Sequence, residues 1–219
     1  SLYDEIGEAR TDFGLADILG AHARHSHHGS LNPISEGWVD WSNHNYLRLL
    51  PELRGLVYGP QVGTEPQSSH ERRHEVLEGF DETDVIPFGG RVEVVTPDRN
   101  ADVLMTFVPP FPVYPPETSW MREPNSSLPG LIVREAGGGK GRVAFLPADL
   151  DRCYGRDNIP DHGSLLGNLL RWLAGDSIPL CVSGAGFIDC HLYRQPNRLI
   201  LHLTNLSNPE VWRTFIHEI

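Results

Sequence analysis

The sequence predicts an open α/β sheet with a small antiparallel β appendage, on three observations. The first is the stretch from Gly141 to Gly175. It opens with an apolar run, Val143-Ala144-Phe145-Leu146, bounded by Lys140-Gly141 and Pro147, as a fully buried strand would be. It closes with Leu165, Leu166, Leu169, Leu170, Trp172 and Leu173, spaced as one apolar helix face and stopped by Gly175. Strand, polar loop and helix in succession form the unit of such a sheet, in which ligands gather beyond the carboxyl ends of the strands. The second observation is a set of further strand signals: alternating Arg91-Val92-Glu93-Val94-Val95, and the apolar runs Val103 to Val108 and Leu131 to Glu135. The third is a change of texture after Gly175. Ile188 to Leu192 and Arg198 to Asn205 alternate around a Gln195-Pro196-Asn197 turn. The predicted division is an α/β domain over 1–175 and the start of a β domain over 176–219.

Taken in order, Phe13, Leu15, Ala16, Ile18 and Leu19 predict a short amphipathic helix capped by Asp12 and ended by Gly20. His22, His25, His27 and His28 then fall within seven residues. They lack the i, i+4 helical spacing of a zinc-protease helix, and read as solvated loop histidines. Residues 39–56 are mixed in period and read as edge structure, and 57–81 as an exposed polar excursion. Pro109 to Thr118 holds too many prolines for helix or central strand. It is a stiff aromatic loop, either a binding element or a lid packed on the sheet. The glycine run 136–141 ends in Lys140 but is followed by Gly141 and a strand, so it is a hairpin turn rather than a phosphate loop.

Composition narrows the function. The 219 residues carry 39% hydrophobic content, 18 Pro and 22 Gly, enough for one sizeable domain with many turns. A net charge of −11 argues against nucleic acid, whose binding rests on Lys and Arg neutralising phosphates. No apolar run approaches the roughly 20 residues of a membrane span, and no signal peptide is visible at Ser1 to Glu5. Three scattered cysteines make no disulfide framework and favour a reducing, cytoplasmic compartment. The chain starts without Met and stops within Val211 to Ile216, which reads as a piece of something longer. Sequons at Asn125 and Asn205 matter only in a glycosylating pathway.

For chemistry, Asp149, Asp151, Asp157 and Asp161 crowd the segment after the 143–146 strand, with Arg152, Arg156 and His162. Glycoside hydrolysis needs two carboxylates about 5 to 10 Å apart. Loop aspartates more often cap helices or pair with arginines, and Asp161 lies where a cap belongs. Cys153 has only the second glycine of a nucleophile elbow, no His-x-Glu accompanies it, and no Gly-x-Ser-x-Gly occurs. No catalytic residue, metal or cofactor is assigned on these grounds.

Ser1 to Glu5 with Asp12 to Gly20, the strand running into Pro109 to Glu117, Gly141 to Asp151 and Asp189 to Gln195 together resemble the trimerisation-type domain of β-galactosidase-like glycoside hydrolases. Within these they are similar to the group called hypothetical glycosyl hydrolase 6. The resemblance covers most of the chain, less so 22–84. It implies a flavodoxin-like, class I glutamine-amidotransferase-like sheet without an amidotransferase triad, lacking its first strands. It also implies a preceding (β/α)8 barrel bearing the catalytic carboxylates, absent from this sequence, and a homo-oligomer. None of the family's catalytic residues maps onto this chain.

The expected function is thus a non-catalytic accessory or oligomerisation domain of a glycoside hydrolase. Its ligand- or interface-binding candidates are Phe111, Tyr114, Glu117, Trp120, Asp149, Asp151, Arg152, Asp157 and His162, with carbohydrate a possible ligand and Tyr154 a further aromatic anchor. The rival is a stand-alone hydrolase using Asp149, Asp151 and Asp157 with His162, which requires those groups to converge in a closed pocket. A third reading, a purely structural fragment, requires the loops to pack internally.

Overall fold

A computed structural model describes residues 3–8, 10–24, 45–54, 73–81, 83–112, 114–136, 141–175, 178–183 and 188–206. The chain divides into two units, residues 1–173 and 174–219. In chain order the elements are α1 (Ala16–Leu19), β1 (Ala21–Ala23), β2 (Tyr46–Leu49), β3 (Val85–Pro87), β4 (Val95–Pro97), β5 (Asp102–Val108), β6 (Pro129–Ala136), β7 (Gly141–Phe145), α2 (Leu150–Asp157), α3 (Pro160–Ala174), β8 (Ile188–Gln195) and β9 (Arg198–Asn205).

The first unit is built on a five-stranded sheet of order β3-β2-β5-β6-β7, antiparallel throughout, with β1 and β4 forming a separate two-stranded ribbon. This overturns the expected flavodoxin-like α/β sheet. A parallel pair needs a crossover of about a dozen residues or more, usually helical. Four residues join β6 to β7, so the pair is a hairpin, with Ala136 opposite Gly141. The link from β5 to β6 is proline-rich, and among the described residues it holds only a 3-10 turn at Pro116–Thr118. The helices α2 and α3 follow the last strand of the sheet and, among the described residues, lead to no further strand in it. Strand-then-helix was read correctly as a succession; it is not half of a crossover.

Several local expectations change with it. The strand at 141–146 lies at an edge and is only partly buried. Residues 46–49, expected at an edge, form β2, an interior strand with Leu47, Arg48 and Leu49 all buried. Val76, Leu77 and Phe80, expected in an exposed excursion, are core residues, whereas 55–72 lie outside the described residues. Of the 91–95 run, Val92 makes a single bridge to Ala148 and Val95 opens β4. The α3 apolar face is narrower than its leucines indicate: Leu165, Leu169 and Trp172 are buried, but Leu170 stays 67% exposed.

One face of the sheet carries the main core. Leu47, Leu49, Ile86, Met105, Phe107, Leu131 and Val133 pack with Leu165, Leu169 and Trp172 of α3, Leu150 and Cys153 of α2, and Val76 and Leu77. Each fully buried side chain of this size contributes about 1.5–3 kcal/mol by leaving water. The register of β5 against β6 shifts between Val103 and Met105. That bulge lets Leu104 and Met105 both join the main core while Val103 turns to the second face. There Ala21, Val95 and Ile132 pack with Phe13, Ala101, Val103 and Phe145, the two phenylalanines edge to face at 5.7 Å. The α1 helix stops at Gly20, whose φ of 67° lets its N–H reach the Ala16 carbonyl.

The second unit is described mainly by the hairpin β8-β9, turned through Pro196 and Asn197, the latter at φ 67°. Its pairing puts Ile188, Cys190, Leu192, Leu199, Leu201 and Leu203 on one face and His191, Tyr193, Ile200 and His202 on the other.

Candidate functional site

Strands β3 and β5 are both antiparallel to β2, and β5 and β7 are both antiparallel to β6. The carboxyl ends of β3, β5 and β7 therefore share one end of the sheet. Both segments singled out from the sequence, 109–123 and 149–162, leave from that end. Across it runs a strap, residues 88–94. On one side Asn45, buried just before β2, donates to Gly90 O at 3.0 Å and accepts from Gly89 N at 2.7 Å. On the other side Glu93 N donates to Pro147 O and Asp149 N to Arg91 O.

The segment expected to be a charged loop is largely helix. Asp149 occupies the position before α2 but caps no helix N–H with its side chain. Its Oδ1 accepts from Arg91 N at 2.7 Å and its Oδ2 from Arg152 Nε at 2.7 Å. Asp149, Arg152, Cys153 and Arg156 are spaced i, i+3, i+4 and i+7, one helix face, and that face meets the strap. Arg156 donates from Nη2 to Gly89 O at 3.0 Å and grips Asp157 through Nε at 2.8 Å and Nη2 at 2.7 Å. This guanidinium holds the Asp157 carboxyl below its ordinary range. Asp151 points elsewhere, exposed in the first turn of α2, where an acid favours the helix dipole.

His162 is buried in the first turn of α3 and donates from Nε2 to Pro87 O at 2.6 Å. A carbonyl only accepts, so Nε2 carries a proton, while Nδ1 is buried without a hydrogen-bond partner among the described residues. Burial pushes the His162 pKa down, keeping the ring neutral. Cys153 is buried too, and burial with the adjacent Asp149 charge pushes its thiol up to about 12, far from a nucleophile's range. Asp149 and Asp157 stand at opposite ends of α2, about 12 Å apart along the axis at 1.5 Å per residue. Asp149, Asp151 and Asp157 are thus engaged separately, in strap, helix end and arginine pair, and Asp161, expected as the cap before α3, lies within its first turn.

The 109–123 loop behaves differently. Phe111 stacks on Tyr46 with centroids 5.7 Å apart. The rest stands out from the sheet: Tyr114 is 82% exposed, Trp120 47%, and Glu117 lies exposed in the Pro116–Thr118 turn. The loop is stiffened by its own bonds, Thr118 N and Oγ1 both donating to Pro115 O. The Arg122 guanidinium lies 3.9 Å over the Trp120 ring and covers one of its faces.

Sequence reasoning missed two polar clusters. Arg48 and Arg54 are buried at 1% and 0% exposure. Both donate to Asn125 Oδ1, while Arg48 also reaches Pro124 O and Asp84 Oδ2 at 3.2 Å each and Arg54 reaches Leu49 O. Nothing in Tyr46-Leu47-Arg48-Leu49 marks Arg48 as buried, because its partners lie 36 and 76 residues away. The second cluster joins Asp12, His22 and Asp98. Asp12, expected as the α1 cap, instead accepts from Phe13 N and Ala23 N; Leu15 takes the cap position. His25, His27 and His28 lie outside the described residues.

Among the described residues no group of three or more His, Cys, Asp or Glu side chains is arranged to hold a metal ion, and no helix is long and apolar enough to cross a membrane. The chain matches no known family, no curated protein and no solved structure.

Proposed function

We propose that this chain is a non-catalytic accessory domain of a glycoside hydrolase, presenting the 109–123 loop as a contact surface for carbohydrate. The observation that carries the reading is the pair Tyr114 and Trp120, large aromatics left in solvent on a loop whose prolines and Thr118 bonds hold it in one shape. A pre-stiffened aromatic surface binds a sugar ring with little ordering cost. Arg122 occupies one face of the Trp120 ring, and the residue stays 47% exposed. Glu117 and Arg122 flank the rings with groups suited to sugar hydroxyls. The link to a glycoside hydrolase, to a preceding barrel and to a homo-oligomer comes from the resemblance of sequence alone.

The stand-alone hydrolase receives no comparable support. Asp149 and Asp157 are held by arginines and His162 faces a backbone carbonyl. The test is affinity electrophoresis of the chain through gels containing soluble polysaccharides, beside Tyr114→Ala and Trp120→Ala, with light scattering on the same samples. Retardation in one polysaccharide that either substitution abolishes supports the reading. Equal mobility in every gel sinks it. An oligomer that dissociates on Tyr114→Ala makes the loop a subunit contact instead.

A further inference from the structure

His22 sits on β1 with its ring on the outer side of the β1-β4 ribbon, opposite Thr96; its neighbours Ala21 and Val95 point inward to the second core. Its Nδ1 lies 2.6 Å from Asp12 Oδ2 and its Nε2 3.1 Å from Asp98 Oδ1. Ionised carboxylates only accept hydrogen bonds. Both contacts are satisfied together only when both ring nitrogens carry protons, that is, by an imidazolium.

The three residues come from three separate stretches of chain. Asp12 lies in the segment before α1, His22 on β1 and Asp98 just after β4. Among the described residues, the charges nearby include Arg134 of β6, 3.9 Å from Asp98 Oδ2, and Arg24, just after β1, bonded to Thr96 Oγ1. Arg134 also donates to Asp17 O in α1. The segment so fastened brings Phe13 onto Phe145 and so covers Ala21, Val95 and Ile132.

The geometry points to His22 as a pH-operated clasp that fastens residues 10–20 over the second face of the sheet. The protonated ring bridges Asp12 and Asp98; the neutral ring has one donor and must release one of them. The Asp12 hydrogen bond, the largest influence, raises the His22 pKa above its ordinary 6.5. Burial is the largest single influence on Asp12 and raises its pKa, but the hydrogen bonds from Ala23 N, His22 and Phe13 N together outweigh it and leave it lowered. A raised histidine gives its full stabilisation below 6.5 and loses it as pH rises through the folded value. A depressed aspartate gives its own above 3.8 and loses it as pH falls through the folded value. The clasp is therefore closed between those limits and opens on the alkaline side.

Two measurements on the intact chain check each other. Nitrogen-15 NMR of His22 gives the protonation of both ring nitrogens and the pKa. Hydrogen exchange at the Ala23 amide, which donates to Asp12 Oδ1 at 2.8 Å, gives the opening equilibrium after correction for intrinsic rates. Linkage ties the two: each unit by which closure raises the pKa becomes about a tenfold rise in opening from low to high pH. Both nitrogens protonated at pH 6.5 with that matching rise is the expected result. Asp98→Asn, which keeps the Asp12 contact and the fold, should shrink both effects together, and His22→Gln should abolish the pH dependence of opening. A ring that titrates at or below 6.5, or an Ala23 opening that ignores pH in the unmodified chain, overturns the clasp.

Discussion

Gly90 lies so close to Asp149 that a β-carbon built on Gly90 would sit 2.3 Å from Asp149 Oδ1. The same carbon would meet Cys153 Sγ at 2.5 Å and Phe88 Cε2 at 2.6 Å. The missing side chain is what allows Asp149 to reach Arg91 N and the strap to lie against α2. Because three neighbours crowd the position, no single rotamer change relieves it. Gly90→Ala should destabilise the first unit by about 1–3 kcal/mol, the usual range for overpacking, read from urea unfolding. Gly79→Ala, with nothing within 4 Å of the added carbon, serves as control, although its φ of 82° brings some strain of its own.

Asn125 gathers two buried guanidiniums on one oxygen. Asn125→Ala should cost about 2–3 kcal/mol, since hydrogen bonds to buried charged groups are each worth about 1.5–3 kcal/mol and their loss leaves the donors desolvated. Asn125→Asp keeps the acceptor and adds a negative charge near both arginines, so it should retain most of the stability. Thermal unfolding of the three proteins side by side decides this.

The neutral, buried His162 makes stability depend on acid. Its folded pKa is depressed by burial, so the unfolded chain binds more protons and folding is disfavoured as pH drops. Its contribution is complete above about 6.5 and is lost below that, down to the folded value. His74, half-buried against the Trp172 ring, acts in the same direction. Unfolding midpoints followed from pH 7 towards 5 should fall, and should fall less steeply in His162→Gln; an equal slope would mean that His162 does not carry the effect.

Thiol labelling separates the cysteines. Cys153, with its pKa pushed up to about 12, should resist a thiol reagent at pH 8 until the first unit unfolds. Cys181 is exposed and should react at mixing, with half-buried Cys190 following. Prompt labelling of Cys153 in native protein would contradict the packing of α2 against the strap.

Much of the local structure was legible. The apolar run 103–108 is β5, the hairpin turn at 195–197 stands where the Pro-Asn pair put it, and Gly20 ends α1. What escaped was relational. The run Val143 to Phe145 reads as buried, but burial on one face at an edge leaves the same trace as burial on two. Arg48 looks like an outward-facing residue of an alternating strand, and only the distant Asp84 and Asn125 make its burial tolerable. The aspartates of 149–161 carry the composition of a catalytic loop; whether they converge depends on helix phase, which places Asp149 on the strap and Asp151 away from it. The four-residue link between β6 and β7, too short for a crossover, was a sign that the sheet is antiparallel.

The strap at the sheet's end also bears on how the chain reaches its native state. Its bonds join residues 44 and 45 apart to Asn45, 58 apart to Asp149 and 67 apart to Arg156. Closing loops of that length costs chain entropy before any contact returns it, and such long-range pairings slow the search. The β6-β7 hairpin can form from neighbours in sequence, but the strap must wait for β2, β7 and α2 alike. Substitutions within the hairpin should therefore change the folding rate, whereas Gly90 and Asn45 should act on the rate of unfolding. The last bonds to form would then govern how long the folded molecule survives.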